Sequence, residues 1–238
     1  MQKSFKSVIF QAFFFMGLLF VLNLSLRAVF ILCFKDGVNG VNLGEFALFF
    51  YNAFRYDGQI IGVMSVVFFF LALLTKEKIV KIYAFLVIFI STFVSVANIG
   101  FYGIYQDVFN ASLLGLIYDD RKAIFETALG ADYGLTYKVL LWLVVSVLFY
   151  ALWAFFHAQI AKIQGKKFRI SLFVAFALLC LFEINGQIGL KGISLGKEIV
   201  PVPNVFLRQI TQGAFRDLLY VYMSYAKIAK SAFKDYTD

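Results

Sequence analysis

Five long apolar stretches, at residues 8–34, 60–75, 79–105, 139–158 and 168–190, occupy most of this 238-residue chain. A hydrocarbon core about 30 Å thick is crossed by roughly 20 apolar residues in a helix, which rises about 1.5 Å per residue. A helix also satisfies its backbone polar groups internally, which lipid cannot do for it. The 60–75 run is short, and the apolar segment 46–54 before it is able to lengthen it. The expectation is an all-α integral membrane protein: a bundle of five transmembrane helices over residues 1–190, with interfacial amphipathic helices.

Composition agrees. Hydrophobic residues make up 62% of the chain, well above a soluble domain. With only 2 Pro, the helices should be largely unbroken. The net charge of +8 does not point to nucleic acid, because most basic residues flank the apolar runs, where anionic lipid headgroups are the natural counter-charge. Membrane lipids are therefore the expected partners.

Several catalytic classes lack their parts. Cys33 and Cys180 both fall within apolar runs, where a disulfide framework is not expected. His157 is the sole histidine, so neither a histidine metal cluster nor a Ser-His-Asp triad is assembled from this sequence. No glycine-rich phosphate loop follows a strand pattern.

Charge also suggests an orientation. Lys3 and Lys6, then Lys76, Lys78 and Lys81, then Lys162, Lys166, Lys167 and Arg169 place nine basic residues on one side. Lys35 and Arg55, then Arg121, Lys122 and Lys138, place five on the other, in longer connections. The positive-inside rule puts the N-terminus in the cytoplasm and the tail outside. The first apolar run exceeds the 7–15-residue core of a signal peptide and no small-residue cleavage site follows it, so it is expected to remain as an anchor.

Residues 191–238 read differently. Pro201 and Pro203 break any helix, Asn204 suits a new cap, and Phe206, Ile210, Ala214, Leu218, Val221 and Tyr225 recur at helical spacing. One or two amphipathic helices on the outer membrane surface are expected, or a helix packed on a soluble domain if one follows.

The polar residues within the runs need partners. Arg27 costs at least about 2.5–3.5 kcal/mol in hydrocarbon, and Glu183 is the only carboxylate inside any run. A structural Arg27–Glu183 pair and a role in substrate binding are both open. Arg55, Tyr56 and Asp57 precede the second run; Asn98, Tyr102, Tyr105 and Asp107 close the third; Asn185 and Gln187 close the fifth. Each tyrosine taken singly fits an interfacial belt. Together, Arg27, Arg55, Asp57, Asn98, Tyr102 and Glu183 form a candidate lipid-headgroup site, with Arg donors suited to phosphate and Asn and Asp suited to hydroxyls. Loop 107–137 has apolar residues fitting short interfacial helices; its Asp119, Asp120 and Glu126 are better read as solvated charges or caps than as a metal site.

The segments "FRYD" (54–57), "VANIGFYGIYQDVFNAS" (96–112) and "LIYDDRKAIFETAL" (116–129), with the emerging tail "NVFLRQITQGAFRDLLYVYMSYAKIAK" (204–230), resemble the membrane domain of the lipoteichoic acid synthase family. These are sulfatase-like transferases of the alkaline phosphatase superfamily that move phosphoglycerol or phosphoethanolamine groups. The resemblance implies a multi-pass protein of the bacterial cytoplasmic (inner) membrane, serving the cell envelope as the anchor of a two-part enzyme. An extracytoplasmic domain would follow the tail and supply the nucleophile and a divalent metal. The sequence stops at Asp238, so no catalytic residue or cofactor is carried over, and no turnover is expected from these residues alone. A small transporter or membrane scaffold is the rival reading, although five spans do not divide into equal repeats and the charges gather at one end. A remnant that regulates a full-length relative is a third.

Overall fold

The computed structural model describes residues 5–114, 134–163, 170–185 and 200–232, with side chains through residue 226. Within these, helix follows helix: α1 (Phe5–Cys33), a short 3-10 turn (Lys35–Val38), α2 (Leu43–Leu74), α3 (Glu77–Tyr105), α4 (Leu135–Ala161), α5 (Ile170–Asn185), α6 (Val205–Thr211) and α7 (Ala214–Ala232). Helices α1 to α4 are each long and apolar enough to cross a membrane, and the chain is a multi-pass membrane protein. The fifth run appears as a 16-residue helix, about 24 Å long, packed beside α2; the rest of run 168–190 lies outside the described residues.

The second run is longer than its apolar core suggests. α2 is one continuous 32-residue helix, so Arg55, Tyr56 and Asp57 lie inside it rather than ahead of it. Nothing between residues 46 and 74 breaks a helix, and the polar turn keeps its helical backbone because its side chains find partners on neighbouring elements. The start is fixed by Asn42, whose side-chain oxygen accepts from the Glu45 N–H at 2.9 Å while its amide donates to the Glu45 carboxylate at 3.1 Å. One orphan donor of the first turn is thereby satisfied.

α2 and α3 turn back on each other through Thr75 and Lys76, which defines a hairpin end of the bundle. Its core is aromatic. Phe15 stacks on Phe68 at 4.3 Å, the Trp153 ring meets Phe68 edge-on at 6.2 Å, and His157 stacks on Trp153 at 4.6 Å. Two of the polar groups here bond to backbone: Tyr83 Oη donates to the Met64 carbonyl at 2.9 Å, and Ser7 Oγ to that of Ile160 at 3.0 Å. α4 is the peripheral span, with Leu140, Val144, Val147 and Phe155 turned outward.

α2 meets α5 at close range because Gly58 and Gly62 face it. A Cβ at Gly62 would lie 2.9 Å from Ile184 Cγ1, and one at Gly58 would overlap the Glu183 carboxylate. Small residues of this kind let membrane helices approach closely.

At the opposite end the tail folds back onto the bundle. Asn204 caps α6 by accepting from the Leu207 N–H at 2.9 Å and donates to the Gly37 carbonyl at 3.0 Å. Gly213 joins α6 to α7 with φ +84, a left-handed conformation that favours glycine. The start of the tail therefore packs against the bundle. Leu207 is fully buried, as are Ile210, Thr211, Arg216 and Asp217.

Candidate functional site

About 20 helical residues cross the hydrocarbon. Counting that many from the hairpin, back from Leu74 and forward from Glu77, reaches Phe54 on α2 and Ala97 on α3. Asp57 and Asn98 thus sit at the hydrocarbon boundary of the tail end, and the helices continue past it. A charge at this depth needs a partner, and the structure supplies one from a neighbouring helix.

Arg27 on α1 forks onto Asp57 on α2. Its Nε donates to Asp57 Oδ2 at 3.2 Å and its Nη2 to Oδ1 at 2.6 Å. Its Nη1 donates to the backbone carbonyl of Ile210 at the end of α6. The Arg27–Glu183 pair left open by the sequence is not formed, because Asp57 presents both oxygens to the guanidinium plane in the bidentate geometry that arginine favours. Glu183 instead packs over Gly58, one residue along from Asp57.

A second arginine enters from the tail. Arg216, buried at the start of α7, lies over the Tyr56 ring at 4.5 Å and donates from Nη1 to Gln59 Oε1. Gln59 then donates from Nε2 to the Ile184 carbonyl at 3.3 Å, so one α2 amide joins the tail to α5. The Tyr56 face adds a cation–π attraction that strengthens when water is excluded.

The other predicted residues are brought to the same end and divided among separate tasks. Asn98 Oδ1 accepts from the Phe109 N–H at 2.9 Å and fixes the chain leaving α3. Tyr102 Oη donates to Gln209 Oε1 at 3.4 Å, and Gln209 Nε2 donates to Asp107 Oδ1 at 3.0 Å, which ties α6 to the same exit. Arg55 stands apart: it donates to Asn52 Oδ1 at 3.2 Å and its guanidinium lies over the Tyr51 ring at 5.5 Å. Asp119, Asp120 and Glu126 lie outside the described residues.

Arg27, Asp57 and Asn98 do line one void, with Asn23 and Ser95, but its volume is about 30 Å³. A neighbouring void against Ser91 and Gln212 holds about 10 Å³. A single water needs roughly 10–15 Å³ by the same kind of measure, so these spaces are water-sized. Among the described residues, these two voids against Arg27 and Asp57 are too small for a glycerol phosphate group while the tail is docked.

Sequence reasoning did not single out Gln59, Gln209, Gly213 or Arg216. Arg216 and Asp217 carried a signal all the same: they interrupt an apolar helix next to a glycine, as inward-facing charges would. The backbone acceptor Ile210 leaves no trace in sequence.

No protein-family model, no curated protein and no solved structure matches this chain. Among the described residues, no group of three or more His, Cys, Asp and Glu side chains converges as a metal-ligand set.

Proposed function

We propose that this chain is the membrane part of a sulfatase-like phosphoglycerol or phosphoethanolamine transferase. It anchors the enzyme in the bacterial cytoplasmic membrane, N-terminus inside, and sets the emerging tail at a fixed height beside the outer-leaflet lipid that serves as substrate. The observation that carries this reading is the docking of the tail into the polar cluster, with Arg27 holding the Ile210 carbonyl and Arg216 reaching Gln59. A free amphipathic linker would leave whatever follows it to drift over the membrane. A linker bonded to α1, α2 and α3 holds it in one orientation, and proximity of this kind is worth a large part of a reaction barrier. Three of the four segments that carry the family resemblance support the reading, because Asp57, Asn98, Asp107, Gln209 and Arg216 gather at that one end; segment 116–129 lies outside the described residues.

The test is lipid selectivity together with transport and turnover. The purified chain, taken from bilayers containing phosphatidylglycerol, phosphatidylethanolamine and phosphatidylcholine, is expected to retain one of the first two over the third in native mass spectrometry. It should pass no solute across proteoliposomes and release no diacylglycerol on its own with added Mn²⁺. Equal retention of all three lipids, or solute flux, overturns the proposal; flux favours the transporter reading.

A further inference from the structure

The first turns of α7 are inside out. Arg216 and Asp217 are buried against the bundle, whereas Tyr222 and Tyr225 on the same helix are 67% and 43% exposed. An amphipathic helix in water buries its apolar stripe and exposes its charges. The reverse arrangement fits a helix whose outer side meets lipid. The same side walls a groove of about 830 Å³, with Phe215, Leu218, Leu219 and Tyr222 on one flank and Leu113 and Leu114, just past α3, on the other. That volume lies within the range of sites that hold small molecules, roughly 300–1,000 Å³. The lining is almost wholly apolar, so the groove offers nothing to a polar ligand.

Position identifies the occupant. The lining residues Leu113, Leu114, Phe215 and Leu218 pack against the cluster of Val94, Phe101, Phe109 and Val221, and Val94 and Phe101 bracket the level of Asn98, where the hydrocarbon ends. α3, against which α7 packs, turns Ile90, Phe93 and Ile104 outward. The bilayer already covers that surface. Tyr222 and Tyr225 are exposed at the groove, and tyrosines commonly mark the edge of the hydrocarbon.

From this we infer that the groove between α7 and the Leu113–Leu114 turn seats one acyl chain of a phospholipid from the adjoining leaflet. The lipid becomes a packing element between the tail and α3. The inference deepens the lipid-presenting reading and rests on it only in placing lipid beside the tail; headgroup choice plays no part in it.

Photo-crosslinking tests it. The full chain is reconstituted with phosphatidylglycerol or phosphatidylcholine carrying a diazirine midway along one acyl chain, irradiated, and mapped by peptide mass spectrometry. Adducts are expected to concentrate on Leu113–Leu114 and on residues 215–225 with both lipids. Leu219→Trp, which fills the groove, should lower those adducts severalfold and leave adducts on α4 unchanged. Val147→Trp on the outward face of α4 should leave the groove adducts unchanged. Adducts spread evenly over the outward helix faces, or none on these two stretches because protein fills the groove, overturn the inference. Groove adducts with both lipids alongside unselective retention would sustain the groove while sinking the headgroup reading. Selective retention without groove adducts would do the reverse.

Discussion

The two ends of the bundle are built on different physics. At the hairpin end, Phe15, Phe68, Trp153 and His157 fill space, and Tyr83 and Ser7 each donate to a backbone carbonyl. At the tail end, two arginines and several amides are buried beside a partly buried aspartate, and specific bonds hold five elements in register. A packed core tolerates substitution by volume. A buried polar network tolerates loss of both partners better than loss of one. The hairpin end therefore holds the spans together, and the tail end decides where the chain goes on leaving them.

The sharpest way to break this contrast is to remove one charge. Asp57→Ala strands the Arg27 guanidinium, and such removals cost about 3–5 kcal/mol. Unfolding in detergent should report that loss, and limited proteolysis should show the tail released from residue 200 onward. The joint variant Arg27→Met, Asp57→Leu should recover most of the stability but not the tail, since the Ile210 carbonyl then has no donor. A joint variant as unstable as the single one would argue that the pair is not the organising contact.

Phe68→Ala is the counterpart at the other end. Truncating a fully buried aromatic costs about 3–5 kcal/mol through lost contacts and the cavity left behind. Here the tail should remain protease-resistant at temperatures below the unfolding transition. If the tail loosens as readily as in Asp57→Ala, the two ends are one cooperative unit and the contrast fails.

Gly58→Ala probes the seam between α2 and α5. The added methyl collides with the Glu183 carboxylate, and overpacking of this kind costs about 1–3 kcal/mol. Glu183→Ala in the same chain removes the obstacle, so the double variant should be more stable than Gly58→Ala alone in the same unfolding assay.

Four of the five expected spans were legible in the sequence because apolar length is a direct requirement of the bilayer. The division of labour within the tail end was not. Arg27, Asp57, Asn98 and Tyr102 stand out as polar residues where lipid would be expected, and all four lie at that end. Which of them touch depends on helix rotation and on the tail's path, and neither leaves a periodic mark. Arg27 has two carboxylates near its own depth, Asp57 and Glu183, and residue spacing measures depth alone. The choice falls to azimuth: Asp57 faces α1, while Glu183 is held over Gly58. The tail reads as surface-bound because its apolar periodicity is real, and the buried Arg216–Asp217 step is too short to shift that pattern.

Gly213→Ala separates backbone from side-chain control of the tail. Residues with a side chain pay about 1–2 kcal/mol for a left-handed conformation, and this one adds a Cβ 2.8 Å from an Arg27 nitrogen and 2.9 Å from Asp57 Oδ1. Both contacts are with side-chain atoms, yet their bidentate pairing leaves little freedom to yield. Proteolytic release of the tail should therefore exceed what the global loss of stability accounts for.

The smallest effect is expected at Asn204, where cap and tether are combined. Asn204→Ala removes the acceptor for the Leu207 N–H and the donor to the Gly37 carbonyl, a loss of about 1 kcal/mol by the usual cost of an N-cap. Asn204→Asp keeps the acceptor and removes only the donor. If the cap alone sets the start of α6, the aspartate variant should match the parent in tail proteolysis. If the bond to Gly37 positions the tail, it should behave like alanine. The second result is expected here, because Gly37 stays packed against the Phe206 ring and an aspartate would then set a carboxylate oxygen, with no donor, against the Gly37 carbonyl.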